Sequence, residues 1–450
     1  MITEKELDFV REALAIARRS GAQQARATLS KSEEHLVATL DGEVDRVTHC
    51  TDRSLSLALF VDGRFGSYST NKLERDALET FIAGAVAATR ILAGDPCRDL
   101  PDPGRCCRDA LTGDELGLVD PSREALTPAD RRRAALEAAV LSASYTGEAL
   151  PAGDFRIVSE EGEYSDSIYD TVLMDTNGVC CRHSETSFDY GVEITVESGG
   201  EKYSGYWWDA SSQRAGLNTA DCGRRALERA VSQIGSEAAP GGRYTAVIDT
   251  ETASKLVSPL LRALSGYSIQ QNNSFLMDSL GQRPFPEGLT IVDLPRIPGQ
   301  TCSKYFDSEG VATAKAPIVE RGVVKQYFIN TYMANKMQAT PTVEDATRPK
   351  VLPWPRAGLD RAAILEQCGS GILVTDFNGG NSNPVTGDFS YGIEGFLFER
   401  GRIIRPVSGM LMTGNFLTLW SKLLFAGDDA RTCQSKLIPT LAFAEVDFSG

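Results

Sequence analysis

The sequence predicts an α+β fold in which an N-terminal helix and antiparallel-sheet domain is followed by a β-rich C-terminal domain. Three observations predict it. Helical spacing opens the chain, short alternating runs dominate from His35 to Ser69, and strand-turn-strand signals crowd the stretch after Gly241-Gly242. Thr3 and Glu6 have the spacing of a capping box, and Leu7, Val10, Leu14 and Ala17 then recur on one helical face. Ser54 to Phe60 alternates as a half-buried strand does, and Asp62-Gly63 is a hairpin signal. Leu78, Phe81, Ile82, Ala85 and Val86 restore the helical period before a stretch rich in Pro, Gly, Asp and Cys that runs to Pro121. Thr127-Pro128 opens a further helix reaching Ser144, strand-like segments follow between Phe155 and Asp209, and Leu227, Ala230, Val231 and Ile234 mark one more helix. Beyond it, strand-turn-strand units centre on Gly288, Arg321-Gly322 and Arg400-Gly401. Helices are expected near Thr250–Leu264, Tyr332–Gln338, Leu359–Cys368 and Leu417–Leu424. The expected domains are therefore 1–110, 111–240 and 241–450.

Composition narrows the function classes. A chain of 450 residues, 42% hydrophobic, can bury a large core. Its net charge of -15 repels phosphate backbones and anionic headgroups, so neither direct nucleic-acid contact nor a membrane surface is expected. Glu4, Lys5, Glu6 and Asp8 stand where a signal peptide needs apolar residues, and no apolar run is long enough to span a bilayer; a cytoplasmic protein is the expectation. The ten cysteines include no Cys-x-x-Cys pair and read as reduced thiols. Cys180-Cys181-Arg182-His183 lacks a second half with zinc-ligand spacing, so small thiols on a strand are the preferred reading there.

The most informative feature is a scarcity. The three histidines are His35, His49 and His183, so none follows residue 183. Zinc hydrolases need imidazole ligands, and Ser or Cys nucleophiles usually need a histidine base, so neither kind of centre is expected to assemble locally in the C-terminal half. All three histidines are read as structural, and no catalytic or metal-binding residue is assigned. The run from Asp376 to Gly392 is so rich in turn formers that it is expected to be an exposed loop or a series of tight turns. Within it Thr386, Gly387, Asp388, Tyr391 and Gly392 are the candidates for facing a peptide or a partner, against the alternative of a plain connection. Asp307-Ser308-Glu309-Gly310 reads as a solvated turn, although its carboxylates have the look of an acid/base pair. Of Trp207 and Trp208, adjacent on a strand, one is expected in a core or an interface. A hydrolase using Cys181 and His183, two apart and on one strand face, is a further alternative.

Gly387-Asp388-Phe389-Ser390-Tyr391-Gly392, Gly395-Phe396, Pro406-Val407, Thr413-Gly414-Asn415-Phe416-Leu417 and Gly427-Asp428-Asp429 resemble, in order and spacing, the C-terminal signature of the TldD/PmbA family. Ser274-Phe275-Leu276, Leu280-Gly281, Asp307 to Val311, Gly322-Val323 and Tyr332-Met333-Ala334 are similar to its pattern upstream, and Asp52-Arg53-Ser54-Leu55 to its first domain. The resemblance implies a pair of related subunits forming a metallopeptidase for flexible peptides. The TldD type carries His-Glu-x-x-x-His and a further zinc ligand; the PmbA (TldE) type lacks them. Here the corresponding stretch is Val257 to Ala263, and Ser258, Pro259, Arg262 and Ala263 form a degenerate motif with no His or Glu. The resemblance thus points to a PmbA (TldE)-like subunit with no cofactor of its own. Zinc is expected in a TldD-like partner, peptides as substrates, and a homodimer when the chain is alone. A stand-alone regulatory or binding protein, of the type once labelled modulator of DNA gyrase, is the alternative.

Overall fold

The computed structural model describes residues 2–143 and 154–450. Helix α1 (Glu4–Arg19) begins at the expected capping box: Thr3 accepts from the Glu6 N–H, and the Glu6 carboxylate accepts from the Thr3 N–H at 2.8 Å. A meander of β1 (Gln24–Leu40), β2 (Glu43–Val61) and β3 (Arg64–Thr70) follows, turning at Asp41-Gly42 and Asp62-Gly63. All four turn residues have positive φ, between 50° and 81°, which Asp and Gly tolerate and which matches the twist of paired strands. After α2 (Arg75–Thr89) and the linker come α3 (Pro128–Ala143), β4 (Arg156–Asp175), β5 (Cys180–Ser198), β6 (Glu201–Ser211) and α4 (Cys222–Ser232). Ser144, the expected end of α3, lies outside the described residues.

These strands form one antiparallel sheet in the order β3-β2-β1-β4-β5-β6. β1 pairs with β4 from Arg26↔Asp175 to Leu40↔Glu161, so the sheet is continuous across the boundary expected at residue 110. Alternation identifies a strand but carries no information about which distant edge it joins, and that pairing is what unites the two regions. One face of the sheet is covered twice. At one end α1 and α2 pack on Ala25, Ala27, Leu29, Leu55, Leu57 and Val172; at the other, α3 and α4 pack on Val37, Tyr164, Tyr190, Val192 and Ile194. Between these apolar patches, at positions of the same parity, lie Glu33, His35 and Asp166. Asp166 is fully buried and holds Arg131 in two hydrogen bonds of 2.6 and 2.9 Å, with the Arg123 Nε 2.8 Å away. The linker runs along the free part of β5, where Arg182, Ser184 and Thr186 donate backbone N–H bonds to Ala110, Gly113 and Leu118.

The second half begins with β7 (Gly242–Ile248), α5 (Thr250–Ala263) and α6 (Gly266–Gln270). A small four-stranded sheet is built from β8 (Ile291–Asp293), β9 (Ala316–Glu320) and β10 (Val323–Val324), and, beyond α7 (Thr331–Met337), β11 (Pro349–Val351). Then follow α8 (Arg361–Cys368), β12 (Gly371–Ser382), β13 (Asp388–Glu399), β14 (Arg402–Asn415), α9 (Phe416–Ser421), β15 (Leu423–Ala426) and β16 (Leu441–Ser449). The large sheet runs β14-β13-β12-β7-β16-β15, and because β14 also pairs with β16, five of its strands close into a ring. β7 and β12 are parallel and buried on both faces. Ala246, Ile248, Ile372 and Val374 share a core with Leu256, Val257 and Leu260 of α5; Val247 and Leu373 are covered by Ile364 and Leu365 of α8. Burial on both sides explains why these strands read as unbroken hydrophobic runs.

Two expectations need correction. Gly288 is not a hairpin centre: it precedes β8 and lies so close to Trp354 that a Cβ there would come within 2.7 Å of the indole. The run Asp376 to Gly392 is mostly strand, with only residues 383–387 between β12 and β13. Its glycines serve the pairing rather than a loop. The register shifts between Phe377 and Gly379, and Gly380, at φ 107°, sits where a Cβ would come within 2.0 Å of the Ser390 carbonyl. The hairpins at Arg321-Gly322 and Arg400-Gly401 form as expected, and α5, α7, α8 and α9 occupy the expected helical stretches, although Leu423-Leu424 begin β15.

Candidate functional site

A cleft of about 1100 Å³ lies between the two large sheets. One wall is β6 and α4; the other is the start of α5, β12 and β13. Lys202 to Trp208 line it consecutively, residues of both parities, so the cleft runs along the open edge of β6, the last strand of its sheet. The Trp208 carbonyl accepts a bond from Arg431 and so points away from β5. A residue's N–H and C=O share one side of a strand, so by the two-residue period Tyr206, Ser204 and Lys202 turn theirs toward the cleft as well. The close Thr195–Ser204 hydroxyl contact of 2.8 Å across β5 and β6 fits that register, since opposed side chains approach most closely at non-hydrogen-bonded pairs.

Arg431 braces lining residues of both walls. Its guanidinium lies 4.5 Å from the Trp207 ring and 5.0 Å from the Trp208 ring, and bonds Glu251 at 2.7 Å. Trp207 also packs against the core beneath α4, so the tryptophan pair is a junction between the two halves. Arg229 reaches across from α4 to the Thr375 carbonyl at 3.1 Å. The lining carries five basic residues (Lys202, Arg224, Arg225, Arg229, Arg361) and five acidic ones (Glu193, Glu228, Glu251, Asp376, Glu394). That balance suits a chain with both polarities, such as a peptide, better than a phosphate. Thr252, at the cleft wall and 2% exposed, has a hydroxyl with no hydrogen-bond partner among the described residues.

The degenerate motif lies on α5, whose N-terminus is capped by Asp249 at 2.9 Å. Residues of α5 could hold zinc only through imidazole, thiolate or carboxylate donors, and the stretch offers none. The Ser258 hydroxyl is spent on the Ser254 carbonyl at 2.8 Å, Pro259 has no N–H, Arg262 is exposed and Ala263 is buried. The residues do not fit the metal. Thr386, Gly387, Asp388, Tyr391 and Gly392 do not line the cleft either; they belong to the β12–β13 hairpin. Thr386 donates to Asp388 at 2.6 Å, Asn415 donates to both, and Tyr391 stacks beside Phe389 and Phe377.

Asp307-Ser308-Glu309-Gly310 is not a solvated turn. Glu309 is 8% exposed and accepts two 2.8 Å bonds from Thr331 at the start of α7. Asp307 accepts from the N–H groups of Glu309, Val311 and Glu344, yet burial pushes its carboxyl up to about 6. The turn also docks the linker, through Cys107 to Gly310 and Ala312 to Arg105. Turn formers report local backbone shape, not what covers it. Cys181 is fully buried and donates to the Cys107 carbonyl at 3.2 Å; the hydrogen bond with Cys107, with burial adding, pushes its thiol up, so it is no nucleophile.

The structure also joins residues that local reading leaves apart. His35 and His49 stand opposite each other on β1 and β2, rings stacked 4.0 Å apart, with Glu33 beside both. Asp41-Gly42, itself a hairpin signal, sets that pairing only to within one residue. A bulge between Ala38 and Thr39 supplies the last step; without it His35 would oppose Thr48.

An α+β protein whose two large sheets flank a cleft is the class that this geometry defines, and sequence comparison gives the family. Residues 25–89, 125–234 and 241–450 match models of PmbA/TldA metallopeptidase domain 1, central domain and C-terminal domain. The chain belongs to the PmbA/TldD metallopeptidase family. Metalloprotease PmbA of Escherichia coli O157:H7 is 29% identical over 445 residues, 96% of this chain and 94% of that one. The PmbA homolog of Haemophilus influenzae is 27% identical over 95% of this chain and 92% of its own. A crystal structure from Bacteroides thetaiotaomicron, described as a putative modulator of DNA gyrase, superposes with a TM-score of 0.93 at 37% identity over the full length of both chains. TldE from Thermococcus kodakarensis, at 17% identity, covering 98% of this chain and all of its own, and TM-score 0.83, shares the fold.

Proposed function

We propose that this chain is the non-catalytic, TldE-like half of a two-subunit zinc metallopeptidase, presenting flexible peptides to a zinc-bearing TldD-like subunit. The observation that carries this reading is the α5 stretch, where Ser258, Pro259, Arg262 and Ala263 offer no donor for zinc and no base for water. The cleft supplies the complementary part. Lys202, Ser204 and Tyr206 on β6 would pair an extended peptide through backbone groups, a mode that needs flexibility and no catalyst. The balanced charges of the walls and the Trp207–Arg431–Trp208 stack would then hold its side chains. Zinc would sit in the partner and polarise the scissile carbonyl and the attacking water there.

An affinity pull-down of the full chain from its own cells tests this, with metal content and peptide cleavage measured on the eluate and on the chain alone. Co-elution of a zinc-bearing homologue, with cleavage only in the mixture, is the expected result. Peptide cleavage by the chain alone would overturn it. Capture of an unrelated protein without peptidase activity would favour a regulatory role, the reading that the gyrase-modulator name of the Bacteroides protein suggests. Sedimentation of the isolated chain should show a homodimer, formed through the surface meant for the homologous partner.

A further inference from the structure

We infer that Glu33, His35 and His49 form a binding site for one divalent transition-metal ion, separate from the zinc position that α5 has lost. The donors converge: Glu33 Oε1 lies 2.9 Å from His35 Nε2 and 3.7 Å from His49 Nε2, and the three ligand atoms all fall within 4.8 Å of one another. Ligands of a tetrahedral zinc ion, with bonds of about 2.0–2.2 Å, stand roughly 3.3 Å apart, so a cation can be accommodated with small side-chain rotations. The rings project from adjacent strands and stack nearly parallel, 6° apart, so binding one ion requires them to tilt until their in-plane Nε2 lone pairs meet. This is the only such group of three donors among the described residues.

The Glu33 carboxylate faces both imidazoles and is the anionic donor of the group. Arg123 approaches Glu33 at 3.7 Å and shares the Asp166 carboxylate with Arg131, so one carboxylate balances only part of the charge of two guanidiniums and the ion depends on its three donors. His49 is about half exposed, so an ion enters from solvent and a water completes the coordination. Two imidazoles and one carboxylate suit zinc, or cobalt as its spectroscopic substitute, rather than magnesium or calcium. The ion would tie β1 to β2 across the polar band between the two helix pairs.

Cobalt(II) titration of the full-length chain, followed by visible absorption, tests this. One equivalent with nitrogen/oxygen-type d–d bands is expected, displaced by zinc. His49→Ala and His35→Ala should each weaken binding at least tenfold, and Glu33→Gln less. His49 is exposed, so its variant is expected to fold, which circular dichroism checks. Unchanged affinity in folded His49→Ala, a sulfur-to-cobalt charge-transfer band from one of the cysteines, or no binding at a hundred micromolar cobalt would each overturn the assignment.

Discussion

The sheet built from residues 24–70 and 156–211 keeps charged groups in the middle of its covered face, whereas the ring of β7, β12, β13, β14 and β16 is apolar where helices cover it. In the first, two helix pairs cover separate ends and leave a band in which Glu33, His35, Asp166, Arg123 and Arg131 satisfy one another. In the second, α5 and α8 lie on opposite sides of the parallel pair and leave no such gap. Where two covers meet imperfectly, buried polar groups must be paired, and paired groups are available for other chemistry. That contrast places the clustered Glu33, His35 and His49 in the N-terminal sheet rather than in the C-terminal ring.

The contrast is broken most directly at Asp166. Asp166→Ala leaves two buried guanidinium groups short of their carboxylate and should cost about 3–5 kcal/mol in chemical denaturation. Replacing Asp166, Arg123 and Arg131 together by apolar residues of similar volume should recover most of the loss. A cost below about 1 kcal/mol for the single change would mean the band is solvated.

Glu160 on β4 sharpens the point, because it is 5% exposed and one of its carboxylate oxygens has no partner among the described residues. Burial, with the Asp41 charge adding, pushes its carboxyl up to about 7 from an ordinary 4.5. The folded state therefore holds the proton more tightly than the unfolded chain. Its contribution to stability is complete below about pH 4.5 and is lost as pH rises through about 7. Glu160→Gln should stabilise the protein by about 2 kcal/mol at pH 8 and make little difference at pH 4. An equal shift at both values would rule out titration as the cause.

The smallest effect is expected at the end of the ring. Asn415 caps α9 through the Leu417 N–H at 3.0 Å and ties the β12–β13 turn by bonds to Thr386 and Asp388. Asn415→Ala should cost about 1 kcal/mol, the usual worth of a cap, in the same denaturation experiment. No measurable loss would show that water replaces the cap.

Much of the fold was legible because it rests on local chemistry. The Thr3–Glu6 box, the Asp62-Gly63 turn, the helix at Thr250 and the hairpin at Arg400-Gly401 each depend on residues within a few positions of one another. That no histidine follows residue 183 was equally plain, since folding cannot add a donor to the sequence. The Asp376–Gly392 run misled because glycines that accommodate bulges look the same as glycines that make loops. The Asp307 turn misled because exposure is set by the linker and α7, which arrive from far away in sequence.

By itself the sequence determined the α+β class, the Thr3–Glu6 cap and the hairpins at Asp62-Gly63, Arg321-Gly322 and Arg400-Gly401. Only the tertiary structure decided that β1 pairs with β4, that β6 leaves an open edge on a cleft, and that His35 meets His49. These depend on long-range register and on a single bulged residue. A one-residue shift turns every side chain of a strand to the other face, and local pattern does not specify that step.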